Sequence, residues 1–165
     1  MLDVKVLTPD DWAALREIRL TALSESPEMF LSVYEQEAGY DESKWQREFT
    51  RGDWYVGVVT AESSDKPVSV LGITREPDTP AHHRFLEYVW VAPEFRRRGV
   101  AFTMIRQVLG RLHSAGVRTV FLWVLDGNDN ATRVYKRIGF VSCNYAQPLE
   151  ARPGRTEELM QISLG

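Results

Sequence analysis

The chain predicts an α/β fold of the α+β kind, one domain over residues 1–165 with a mixed, mostly antiparallel central sheet of about seven strands flanked by about four helices. Three observations carry this. A length of 165 residues is about one domain by the usual prior of ~100–200 residues. Short runs with strand-like apolar patterns are more numerous than stretches with helical spacing. A strand, helix, strand, helix succession between residues 84 and 138 demands at least one parallel crossover, while hairpin-like runs on either side demand antiparallel pairing.

The elements follow in order. Leu2, Val4 and Val6 alternate with polar neighbours, the period-2 mark of a strand with one buried face. Thr8 suits a helix N-cap, Pro9 the first helical position, and Asp10 and Asp11 the positive end of the dipole. Trp12, Leu15, Ile18 and Ala22 continue that helix to an end near Ser24 to Pro27. Weaker helical patterns surround Met29-Phe30-Leu31 and Trp45 to Phe49, broken at Pro27 and Gly39. Trp54 to Ala61 and Val68 to Thr74 read as a hairpin joined through Ser63-Ser64-Asp65-Lys66-Pro67. Arg84 to Ala92 is a strand, with Glu87, Val89 and Val91 expected on one face and Tyr88 and Trp90 on the other.

The next helix has the clearest pattern. Ala101, Met104, Ile105, Val108, Leu109 and Leu112 form its stripe, and Gly116 its C-terminal cap. Val117 to Leu125 is apolar and short enough for a buried strand, Asp129 to Ile138 is helical, and Gly139 ends it. Phe140 to Tyr145 and Glu158 to Leu164 are the last strands, and residues 147–155 form a loop between them. No internal repeat or interdomain linker interrupts the chain.

Composition narrows the function classes. The chain is 44% hydrophobic and 26% charged, which fits an ordinary folded domain and excludes disorder, collagen and coiled coil. Twenty Lys plus Arg against 23 Asp plus Glu leave a net charge of −3, so no whole-protein field favours nucleic acid. The lone Cys143 excludes an intrachain disulfide and a thiol-based metal cluster, and no metal site is expected. The first residues lack a signal-peptide pattern, and Val117 to Leu125 is too short to span a bilayer. The expectation is a soluble, cytoplasmic protein with no membrane partner, in which Asn130-Ala131-Thr132 matches a glycosylation pattern by accident.

Two segments carry chemistry. In the first, a strand ending in Val89-Trp90-Val91-Ala92-Pro93 leads through Arg96-Arg97-Arg98-Gly99 into a helix opening Val100-Ala101-Phe102. The first amides of a helix lack internal partners and sit at the positive end of its dipole, which suits a phosphate. Gly99 permits close backbone approach, and the arginines add charge-assisted bonds. The plain alternative, three arginines decorating a solvated turn, has comparable weight on this segment alone. Neither G-x-x-x-x-G-K-[ST] nor a G-x-G-x-x-G after a strand is present. In the second segment Asn128, Ala131 and Tyr135 are spaced three and four apart, on one helical face, before Gly139-Phe140.

Together the two segments resemble the GNAT superfamily of acyl-CoA-dependent N-acetyltransferases. Arg96-x-x-Gly99-x-Ala101 matches that family's [QR]-x-x-G-x-[GA] motif, and the second segment matches its N-x-x-A-x-x-x-Y-x-x-x-G-F pattern. The resemblance covers the whole element order and is most specific from about Glu87 to Phe140. It implies acetyl-CoA as co-substrate, with Val89, Trp90 and Val91 along the thioester and pantetheine arm. Arg97 to Phe102 would surround the pyrophosphate, with Arg96 opening the motif, and Asn128 and Ala131 belong to the coenzyme face. Tyr135 resembles the family's general acid.

Attack of an amine on a thioester needs a base, a polarised carbonyl and a proton for the departing thiolate. Glu87 is the expected base, with a water relay or His82 and His83 as alternatives. The acceptor is expected to be a primary amine of a small molecule or peptide. Seven acidic residues, Glu25, Glu28, Glu35, Glu37, Asp41, Glu42 and Glu48, lie where a cationic acceptor would enter, although an ordinary solvated helix face explains them better. A non-catalytic acetyl-CoA sensor is the alternative function, and nucleic-acid binding through Arg96, Arg97, Arg98, Arg106 and Arg111 is the weakest reading. The resemblance also admits a homodimer through the C-terminal strands.

Overall fold

The computed structural model describes residues 1–60 and 65–165. Among them one sheet contains β1 (Leu2–Val6), β2 (Gly52–Val59), β3 (Pro67–Thr74), β4 (His83–Val91), β5 (Thr119–Leu125), β6 (Val141–Pro148) and β7 (Thr156–Ser163). Their order is β1-β2-β3-β4-β5-β7-β6. The only parallel pairing in it is β4 with β5. Five α-helices accompany the sheet: α1 (Trp12–Glu25), α2 (Tyr34–Ala38), α3 (Glu42–Arg51), α4 (Val100–Ser114) and α5 (Asp129–Ile138).

Side-chain alternation puts a core on each face of the sheet. On one face Tyr55, Leu71, Ile73, Leu86, Val120 and Leu122 meet the apolar stripe of α4, and Ile138 and Phe140 complete the cluster. On the other face Trp54, Val56, Val70 and Trp90 meet Leu15, Ile18, Ala22 and Leu23 of α1 and Trp45 of α3. Burying both faces explains why β2 and β3 read as nearly continuous apolar runs.

Several expectations need adjustment. The helix expected from Pro9 begins as a 3₁₀ turn, Pro9–Asp11, where Thr8 N donates to Asp11 Oδ2 at 2.8 Å. Around Met29-Phe30-Leu31 only a 3₁₀ turn, Pro27–Met29, forms, and the helix comes later as α2. Asp41 caps α3 by accepting from Lys44 N at 2.8 Å, a local signal that favours the start at Glu42. Ser63, Ser64 and Ala61 of the expected hairpin lie outside the described residues. Among the described residues no helix is long and apolar enough to cross a membrane.

Two irregularities in β4 position the site. Its parallel pairing with β5 lasts for only His83↔Thr119, Arg84↔Val120 and Phe85↔Phe121, after which the strands part. Leu86–Val91 therefore borders a gap in the sheet. Against β3, Glu87 pairs with Gly72 and Trp90 with Val70, so β4 carries one extra residue between them. This is a β-bulge, and it corrects the expected face assignment. Val89 packs with the α4 side, whereas Tyr88 and Trp90 pack with the α1 side and Glu87 reaches Arg51 of α3. An inserted residue reverses the alternation beyond it, so Glu87 and Val89 do not share a face.

Candidate active site

The gap ends at the turn that joins β4 to α4. Pro93–Phe95 forms a 3₁₀ turn, Arg97 and Gly99 have φ of 62° and 74°, and α4 starts at Val100. Left-handed residues alternating with ordinary ones converge successive N–H groups into an anion-binding concavity. Gly99 is required for its backbone angle rather than for space, because a Cβ there would meet nothing within 4 Å. Thr103 N bonds to Gly99 O at 2.9 Å, which leaves the Val100, Ala101 and Phe102 amides without intrahelical partners. The side chains of Arg97 and Arg98 are exposed around this end. These features fit a pyrophosphate.

Arg96 has another task. Its Nε donates to Val91 O at 2.9 Å and its guanidinium meets Glu25 at 2.6 Å, tying the turn to the end of α1. Trp90 Nε1 donates to the same carboxylate at 2.9 Å. Burial favours the protonated form of Glu25, but bonds from Ser26, Arg96 and Trp90 outweigh it and hold its carboxyl below the usual range.

On the α4 side of the gap, Tyr135 belongs to the same apolar cluster as Leu86, and Val89, Phe102 and Ala131 pack against that cluster. Residues from β4, α4 and α5 that the sequence selected thus meet on one face. Tyr135 is 9% exposed and edge-on to Phe140. Burial pushes its phenol up to about 12. Asn128 is the N-cap of α5, its Oδ1 accepting from Ala131 N at 3.4 Å.

Glu87 lies across the sheet, with its carboxylate paired to Arg51. Burial raises its pKa, and Arg51 opposes that rise. His82 and His83 stand at the opening of β4, beside the start of β5 and away from the turn. Eight residue steps from His83 to Val91 span roughly 26 Å at the rise of a strand.

The acidic segment is largely engaged internally. Glu37 and Glu48 bind Arg19, Glu25 binds Arg96, and Asp41 caps α3. Arg19 is 5% exposed, inside a cage of Trp45, Trp54 and Tyr88 with its guanidinium 4.5–5.0 Å from their ring centres. Burial opposes its charge, but the bond and charge of Glu37, with Tyr88 and Glu48, outweigh that and raise its pKa. The sequence reading missed Arg19 and Tyr88. The only available signal was a charged residue one turn after Leu15 on the buried face of α1. It also missed Arg152, in the loop between β6 and β7, whose guanidinium donates to the carbonyls of Pro27, Glu28 and Phe30.

A family model described as the acetyltransferase (GNAT) family matches residues 12–140, more than half of the chain, and the chain belongs to that family. It is 26% identical over 141 residues to an uncharacterised N-acetyltransferase of Methanocaldococcus jannaschii, covering 76% of this chain and 59% of that protein. An 87-residue match at 37% identity to an uncharacterised protein of Mycobacterium leprae covers 52% of this chain and 22% of the relative. The chain thus spans less than two thirds of the length of either. Among solved structures, a GNAT acetyltransferase of Streptococcus pneumoniae superposes with a TM-score of 0.81 at 16% identity over all of both chains. Arabidopsis thaliana NAA60 in complex with a bisubstrate analogue gives 0.72 at 16% identity, covering 99% of this chain and 98% of that one. These likenesses define the fold.

Proposed function

We propose that the protein is an N-acetyltransferase that transfers an acetyl group from acetyl-CoA to a primary amine of a small molecule or peptide, by direct attack within a ternary complex. The observation that carries this is the gap between β4 and β5 opening beside an anion-binding helix start, with Tyr135 in the cluster that lines one face. Unpaired strand edge suits the amide groups of a pantetheine arm. The Arg97–Gly99 turn and the first amides of α4 suit the pyrophosphate. Ala131 and Asn128 border the arm from α5.

The chemistry falls to few groups. A backbone amide of β4 near Trp90 or Val91 polarises the thioester carbonyl. Tyr135, kept protonated by burial, hands its proton to the departing thiolate. Glu87 takes the amine proton, directly or through water, and must part from Arg51 to do so. Arg96 acts on the turn from behind, through Glu25 and Val91.

The test is acetyl-CoA-dependent release of free thiol against polyamines, aminoglycosides, amino acids and peptides with free N-termini. Release with one acceptor class establishes the reaction and names the class. Binding of acetyl-CoA with a silent panel favours the sensor, and no binding overturns the proposal.

A further inference from the structure

The bulge in β4 has an unusual residue at its centre. Tyr88 adopts φ of 59°, a left-handed conformation that bulky side chains rarely take. Such a backbone persists only where its surroundings hold it. Here they do so from several elements. Phe30, in the segment between α1 and α2, stacks on the Tyr88 ring at 4.6 Å. Trp54 of β2 meets its edge at 5.9 Å, and the Arg19 guanidinium of α1 lies over it at 4.5 Å. The hydroxyl donates to Glu37 of α2 at 3.3 Å. Arg19 is fixed in turn by Glu37 at 2.8 Å and Glu48 at 3.0 Å. All four partners of Tyr88, and Glu48 behind them, are buried.

An extra residue in a period-2 strand reverses the direction of each amide beyond it. The bulge therefore decides which N–H groups of Val89–Val91 point to β3 and which to the gap beside β5. We propose that Tyr88 is a positioning residue, caged by Arg19, Phe30, Trp54 and Glu37 so that its left-handed backbone aims a β4 amide into the gap. This rests on the acetyltransferase reading, in which that amide polarises the acyl carbonyl.

The experiment is infrared difference spectroscopy of acetyl-CoA labelled with ¹³C at the acyl carbonyl, bound to wild type, Tyr88→Ala, Tyr88→Gly and Arg19→Lys. Circular dichroism and calorimetric affinity establish that each variant is folded and binds. The wild type should lower the carbonyl stretching frequency relative to free acetyl-CoA. Tyr88→Ala, without ring or easy access to positive φ, should lose that lowering and about 10²-fold in kcat, while KM for acetyl-CoA holds. Tyr88→Gly, which takes positive φ freely, should retain more of both. Arg19→Lys keeps the charge but loses the planar stack, and should fall between wild type and Tyr88→Ala. Equal behaviour of the Ala and Gly variants, or an unshifted band in both Tyr88→Ala and Arg19→Lys relative to wild type, overturns the inference. Failure of the wild type to bind acetyl-CoA overturns the acetyltransferase reading and this inference with it.

Discussion

Tyr135 keeps its proton because burial opposes the phenolate, and this sets two outcomes at the residue scale. Tyr135→Phe should lower kcat by about 10²–10⁴ in thiol-release assays, the usual contribution of a positioned general acid. A rate unchanged by the substitution removes Tyr135 from the role. With the phenol pushed up to about 12, the wild-type rate should show no alkaline fall from this group below that pH. In the proposed mechanism Glu87 sets the acid side of the profile. Burial raises its pKa and Arg51 lowers it, so Arg51→Gln should move the acid limb of kcat/KM to higher pH. A limb that stays in place assigns the base to another group. Both residues stand out in the sequence as candidates, Tyr135 by its register in the α5 pattern and Glu87 by its place in the strand. The environment of Glu87 was not, because one inserted residue in β4 moved Val89 to the opposite face.

Elements differed in legibility for a physical reason. The α4 stripe, the α5 boundaries and the β5 run could be read directly, because each buries apolar residues at a single period. α1 to α3 could not be read as well. Their buried positions include Arg19, Glu37 and Glu48, charged residues that pattern reading assigns to solvent. The ion pairs among them join α1, α2 and α3 at one point under β4. Arg19→Met should leave the buried Glu37 carboxylate without a cationic partner, while Glu48 keeps Lys44 and Arg51, and lower stability by ~3–5 kcal/mol, read as a reduced urea midpoint. Replacing Arg19, Glu37 and Glu48 together with apolar residues of similar volume should cost much less, since no charge is then left unpaired.

For the whole molecule, the loop between β6 and β7 and the segment after α1 are sequence-distant but joined by Arg152. Arg155 and Asp126, 2.6 Å apart, fasten the base of the same loop to the end of β5. Arg152→Ala should raise hydrogen exchange in residues 27–31 and 149–155 while changing global stability by no more than about 1 kcal/mol, because the loop adds little to either core. Unchanged exchange would show that the two segments hold together without it. None of this was visible in the sequence, where an arginine in a Pro- and Gly-containing loop reads as a solvated residue. The gap between β4 and β5 has a further consequence. An unpaired backbone edge on the rim of a sheet recruits strands from other proteins, and cells guard against it with charges, prolines and short strands. Here the sticky edge lies inside the sheet, bordered on both sides by strands that continue in the ladder. Such a slot admits one slender chain and turns away a second sheet, so a permanently open hydrogen-bonding edge brings no hazard of aggregation.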